Sequence, residues 1–252
     1  FISIIFCINI SFIQAAEQTE KLLSPGWSFK GFFGKFDRGS LQRGYQVYTE
    51  VCSACHSMKY LTYRNLSEPG GPEFSEVEAK AIASQFEVTD GPNNDGEMFT
   101  RPGRPSDNFV SPYPNIQAAT AANGGAYPPD MSVLVKARKG GADYIYSLLL
   151  GYEDPPAGIS LDDGVYYNKY MPGKNIKMSN PLSEGLVEYS DGTTASMEQM
   201  AKDVTTFLSW AAEPHLEARH KIGFRAIIYL IILTILVYFS MKKIWSRVES
   251  KI

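Results

Sequence analysis

A mainly α fold with long irregular loops and one C-terminal transmembrane helix is predicted for this chain of 252 residues. Three observations predict it. Apolar residues recur at helical spacing in two distant stretches, 37–56 and 196–212; Gly and Pro turn signals crowd the region between them; and a nearly uninterrupted apolar run extends from Ile222 to Met241. With 44% apolar and 20% charged residues, the chain can build one large domain with a proper core and still carry accessory segments. A formal net charge of -3 lacks the basic excess of a general nucleic-acid binder, so any charged partner is expected to be basic.

Residues 1–16 read as a partial secretory signal peptide. Phe1 to Ile13 is apolar apart from small polar groups, and Ala15-Ala16 before Glu17 has the small-residue character of a cleavage site. From Asp37 to His56 the positions Leu41, Tyr45, Tyr48, Cys52 and Cys55 fall on one helical stripe, which places both cysteines on the core-facing side. Gly44 lies on this helix at a cost of about 1 kcal/mol against Ala, a cost that makes sense if a second helix crosses there. Ser196 and Gln199 form a capping-box pattern for that partner, with Met197, Met200, Val204, Phe207, Leu208 and Ala211 at helical spacing up to Pro214. Between the two, only short helices fit, around Glu76 to Phe86, Asp130 to Arg138 and Ala142 to Gly151. Loops of such length need an organiser other than a hydrophobic core, and a large apolar cofactor would serve.

The run 222–241 carries one charge, Arg225, near its start, and about 20 residues suffice to cross a bilayer. Lys242, Lys243, Arg247 and Lys251 follow it, so the positive-inside bias puts the tail 242–252 in the cytoplasm and the domain 17–221 outside.

Cys52-Ser-Ala-Cys55-His56 is the C-x-x-C-H pattern of c-type haem attachment. Two thiols at this spacing add to the two vinyl groups of one porphyrin, and the adjacent histidine sits beneath the iron. Structural zinc fails on ligand count, since the other histidines, His215 and His220, stand at the start of the membrane run and Cys7 is in the signal segment. A thioredoxin-like dithiol would open a helix, whereas here the helix precedes the motif. An electron-transfer haem needs a second axial ligand. Methionine is the remaining soft donor and raises the potential. Of the eight methionines, Met171 and Met178 in the Pro/Gly loop before the last soluble helix are the candidates, and pattern alone does not separate them.

The stretch from Gly44 to Tyr60, with the motif inside it, resembles the cytochrome c1 family. Arg101-Pro-Gly-Arg-Pro-Ser-Asp107, Pro112-Tyr-Pro-Asn115, Pro128-Pro-Asp130, Ala137-Arg-Lys-Gly-Gly141, Tyr170-Met-Pro-Gly173 and Trp210-Ala-Ala-Glu-Pro214 are similar to family segments in the same order. The resemblance implies a class I cytochrome c-like haem domain with one haem c bound through Cys52 and Cys55. It implies His56 and Met178 as axial ligands, with Met171 packing nearby, and Arg138 paired with a haem propionate. It also implies that the chain is no enzyme by itself. It would be a subunit of a dimeric quinol:cytochrome c reductase, beside cytochrome b, taking electrons from the Rieske iron-sulfur protein and passing them to cytochrome c. From Glu68 to Glu97 eight acids face one base, Lys80, a surface that would steer a basic cytochrome c. No cysteine follows Cys55, so the domain is expected to lack an internal disulfide. A bacterial inner membrane, with the haem domain in the periplasm, is expected because the leader lacks the Arg-rich amphipathic character of a transit peptide. The other reading is a membrane-anchored monohaem cytochrome c subunit of a different respiratory enzyme.

Overall fold

The structure, a computed structural model, describes residues 20–249, and the expected signal segment 1–16 lies outside them. Asp37 opens α1 (Arg38–Val47) by accepting the Ser40 amide at 2.7 Å on its carboxylate. Leu41, Tyr45 and Val47 form its buried face. The helix does not run on to His56 as α-helix. It widens into a five-residue π-helical turn, Tyr48–Cys52, in which the Ser53 amide donates to the Tyr48 carbonyl at 2.8 Å. The extra residue in that turn rotates everything beyond it off the α stripe. Tyr45 and Tyr48 are buried, while Cys52 is half-buried and packs against the core and Cys55 is half-buried outside it, so the expectation that both cysteines extend the core face holds for Cys52 and fails for Cys55.

The crossing partner is α5 (Met197–Ala212), which meets α1 where Gly44 lies against Asp203. Ser196 accepts the Gln199 amide at 3.2 Å, as a cap should. The reciprocal half of the predicted capping box is absent, because the Gln199 side chain donates instead to Asp203 at 2.9 Å. Asp203 is wholly buried and is paired with Arg43, whose Nε approaches it at 2.8 Å while Nη1 reaches Asp191 at 2.7 Å. A buried carboxylate held by both a guanidinium and an amide is satisfied, whereas one stripped of these partners would cost several kcal/mol. Around the crossing, Tyr45, Tyr48, Phe109 and Phe207 pack with tilted or edge-on rings, and Tyr63 stacks on Phe109 with centroids 4.8 Å apart.

Two of the three expected short helices are present, α2 (Glu76–Ser84) and α4 (Gly141–Leu150), together with an unforeseen α3 (Ile116–Ala122). The expected helix 130–138 is a series of turns. Met131 N donates to the Ser57 carbonyl at 2.8 Å and Ser132 N to the Asp130 carboxylate at 2.9 Å, while further along Leu134 N returns to the Met131 carbonyl at 3.3 Å and Ala137 N is shared between the Val133 and Leu134 carbonyls, the bonds of separate turns. Two small antiparallel ribbons were not foreseen either, β1 (Glu87–Asp90) with β2 (Phe99–Pro102) and β3 (Tyr166–Tyr167) with β4 (Asn175–Ile176).

The last helix, α6 (Leu216–Glu249), extends beyond the predicted 222–241 at both ends. Its first turn belongs to the domain. Arg38 forks onto Glu217 at 2.8 and 3.0 Å, and the Phe36 amide donates to the same carboxylate at 3.0 Å. Among the described residues, α6 is the helix long and apolar enough to cross a membrane.

Candidate cofactor site

The π-helical turn delivers the chain into a tight loop in which the Cys55 and His56 amides both donate to the Cys52 carbonyl, at 3.1 and 2.9 Å. Neither cysteine is in a disulfide. Before any attachment, burial pushes the Cys52 thiol up to about 12, with the neighbouring Cys55 adding to the shift.

His56 is fixed from two sides. The Tyr48 hydroxyl donates to its carbonyl at 3.2 Å, and its Nδ1 lies 2.8 Å from the Pro129 carbonyl. A carbonyl oxygen accepts, so Nδ1 carries the proton and Nε2 is left as a lone-pair donor, the tautomer a metal-ligating imidazole needs. Burial holds the imidazole below its ordinary value, against opposing contributions from Pro129 and Asp130, and this favours the neutral ring.

The Pro129 carbonyl is itself held in place by Asp130. That carboxylate accepts from Ser57 Oγ at 2.8 Å, from the Lys59 amide at 3.0 Å and from the Ser132 amide at 2.9 Å. Ser132 Oγ in turn accepts the Tyr60 amide at 3.1 Å. Burial works to raise the Asp130 carboxyl, but the hydrogen bonds from Ser132, Lys59 and Ser57 keep it below the usual carboxylate range. Segments 57–60 and 129–132 are thus laced together behind His56. Pattern reasoning marked Pro128 to Asp130 only as a resembling segment and missed Asp130 and Ser132 as braces.

The two methionines sit in one loop with different surroundings. Buried Asn168 organises it, donating to the Leu148 carbonyl at 2.7 Å and accepting the Tyr170 amide at 3.1 Å. Met171 has its sulfur engaged by the Tyr144 hydroxyl of α4 at 3.5 Å. Met178 is half-buried, and its carbonyl accepts from the Tyr152 hydroxyl at 3.0 Å, an anchor on the backbone that leaves the thioether to other partners. Arg138 is exposed, its Nη1 on the Ala137 carbonyl at 3.2 Å, and it lies near enough to Tyr144 to act on that hydroxyl electrostatically. Beside Cys55 a cleft is lined on one side by Tyr113, Ile116, Ala119, Tyr127 and Pro128 and elsewhere by the polar residues Ser57, Lys59, Ser111 and Asn115. Ile116 and Tyr127 are left exposed, apolar surface that a porphyrin would cover. The donor set and this wall fit a haem c.

A helical domain that presents two thiols and a neutral imidazole on one loop, tied to a helix able to cross a membrane, defines a membrane-anchored haem electron carrier. The model of the Cytochrome C1 family matches residues 27–248, and the chain belongs to that family. It is 45% identical to the cytochrome c1 of Rhodospirillum rubrum, in an alignment covering 94% of this chain and 92% of the relative. It is 47% identical to "Cytochrome c1 2, heme protein, mitochondrial" of Arabidopsis thaliana, over 97% of this chain and 80% of the relative. A third relative, "Cytochrome b/c1" of Bradyrhizobium diazoefficiens, is 49% identical over 96% of this chain, but the chain spans only 38% of that relative's length. The protein is accordingly a haem-containing electron-transfer subunit of a bc1 complex, and among its described residues one helix is long and apolar enough to cross a membrane.

Proposed function

We propose that this chain carries one haem c, thioether-linked through Cys52 and Cys55, with His56 and Met178 as axial ligands, and that it passes single electrons from the Rieske iron-sulfur protein to a cytochrome c. The observation that carries this reading is the His56 geometry: an imidazole whose Nδ1 is committed to the Pro129 carbonyl, one residue after a C-x-x-C pair, has Nε2 left for iron. When bound, haem c supplies a one-electron iron centre; the chain supplies the ligands, a low-dielectric wall and the charges around it. Engagement of the Met171 sulfur by Tyr144 favours Met178 as the second ligand. Arg138, exposed beside α4, is free to swing onto a propionate, where a guanidinium would keep the carboxylate ionised.

The orientation follows from charge. Lys242, Lys243 and Arg247 at the far end of α6 favour the cytoplasmic side, which supports a haem domain on the outer face, the periplasm if the membrane is a bacterial inner membrane. The joined name of the longer relative supports a position beside cytochrome b. The acidic stretch 68–97 would steer a basic cytochrome c, though part of it is structural: Glu73 pairs with Arg38 and Asp90 with Arg101, which leaves Glu76, Glu78, Glu87, Asp95 and Glu97 as the exposed acids outside ion pairs.

The test is stopped-flow spectroscopy on the intact complex. The haem should become reduced after quinol is added, only when the Rieske protein is present, and its reoxidation by a basic cytochrome c should slow as salt rises. A haem that reduces without the Rieske protein, or reoxidation indifferent to ionic strength, contradicts the reading. On a denaturing gel the haem should stay with the chain, and Cys52→Ala with Cys55→Ala should release it.

A further inference from the structure

An exposed aromatic tip stands apart from the cofactor residues, where α6 leaves the domain. Residues 27–36 fold back on themselves: Lys30 N donates to the Trp27 carbonyl at 3.2 Å, Gly34 N to Gly31 at 3.2 Å and Lys35 N to Ser28 at 3.0 Å. Trp27, Phe29 and Phe36 bury the base of this loop in the core, yet Phe32 and Phe33 at its tip are 54% and 74% exposed. The tip is built rather than loose. A Cβ on Gly34 would stand 2.2 Å from the Phe29 carbonyl oxygen, and the Gly34 carbonyl lies 3.3 Å from His220 Nδ1 on α6. The Phe32 and Phe33 rings meet each other edge-on at 5.0 Å and meet Phe224 of α6 at 6.3 and 5.8 Å. Phe224, itself 43% exposed, is the third residue of the apolar run, about 3 Å inside its domain-side end at 1.5 Å per residue.

Rings in contact with Phe224 share its depth, which is the boundary between headgroups and acyl chains. Lys35, Lys221 and Arg225 are exposed around the three rings, cations at the level where lipid phosphates lie. A patch of phenyl rings continuous with a membrane span and ringed by bases is the surface a phospholipid interface complements. We propose that the Phe32-Phe33 tip is a second membrane contact, dipping into the phospholipid interface beside α6 and fixing the tilt of the haem domain over the bilayer. With Phe36 bound to Glu217, the loop and the helix would act as one two-pronged anchor.

This proposal rests on α6 being a membrane span, and the experiment separates the two. The photoreactive analogue p-benzoylphenylalanine, close in shape to phenylalanine, is placed at Phe33 in the complete complex in its native membrane, and in separate preparations at Tyr229 and at Ile231, which lie on different faces of α6. After irradiation, the peptide holding position 33 should gain the mass of one phospholipid. A cross-link from position 33 to another polypeptide would overturn the lipid assignment in favour of a protein cover. No adduct at 33, with lipid adducts at 229 or 231, would place the tip in water and leave the span standing. Lipid adducts at none of the three positions would remove the span and the proposal together.

Discussion

Gly44 of α1 and Asp203 of α5 approach so closely that a Cβ on Gly44 would stand 2.1 Å from the Asp203 carbonyl oxygen and 2.7 Å from Phe207 Cβ. The atoms in the way are largely backbone, so the helices must separate to admit a methyl group. Overpacking of this kind costs about 3 kcal/mol, against which the better helix propensity of Ala returns about 1 kcal/mol. Gly44→Ala should therefore lower the unfolding free energy of the holoprotein by about 2 kcal/mol or more in denaturant titration. An unchanged midpoint would mean that the crossing is looser than described.

Asp130 behaves as the brace of the histidine loop. Asp130→Ala strips acceptors from Ser57 Oγ and from the Lys59 and Ser132 amides in a half-buried position. Unsatisfied groups of this kind cost about 1–3 kcal/mol, which for a domain of this size shifts Tm down by roughly 2–12 °C. Amide hydrogen exchange should accelerate at Lys59 and Ser132 before it does elsewhere in the domain. Uniform acceleration across the domain would argue that Asp130 does not act locally.

Arg101 ties the loop 101–107 to β1. Its Nη1 and Nη2 fork onto Asp107 at 2.6 and 3.0 Å, and its Nε pairs with Asp90. The Arg101 guanidinium holds the Asp107 carboxyl at about 2, and the Arg104 amide assists. A depressed folded-state value means stabilisation that is complete above the ordinary carboxylate pKa of about 4 and is lost as pH falls towards 2. Wild type should therefore be more stable than Arg101→Gln at pH 6, and the gap should close between about pH 4 and pH 2. A gap that widens on acidification would reverse the assigned sign.

What the sequence disclosed is what repeats locally or carries its own spelling. The stripe through Leu41, Tyr45 and Tyr48, the glycine at the crossing and the C-x-x-C-H motif were legible because neighbours a few residues apart define them. The π-helical turn at Tyr48–Cys52 was not, since a helix stripe read from spacing assumes a constant period. The braces were hidden for another reason. Ser57 and Asp130 are 73 residues apart, and nothing in either segment announces the other. The turns at 131–138 look helical in isolation, and the bond that ties their start to the 57–60 segment, from the Met131 amide to the Ser57 carbonyl, exists only in the folded chain. Met171 and Met178 share a loop, so pattern alone did not separate them; in the folded chain the Tyr144 hydroxyl engages the Met171 sulfur and the Tyr152 hydroxyl the Met178 carbonyl.

The central claim is that His56 and Met178 complete the iron, and a redox titration with visible spectra on wild type, Met178→Leu and Met171→Leu tests it most directly. Loss of a thioether ligand lowers the potential, here by on the order of 100 mV or more, with altered ligand-field bands. The account predicts that change in Met178→Leu and a near-native potential and spectrum in Met171→Leu. A native potential in Met178→Leu, with the drop appearing in Met171→Leu, would contradict it.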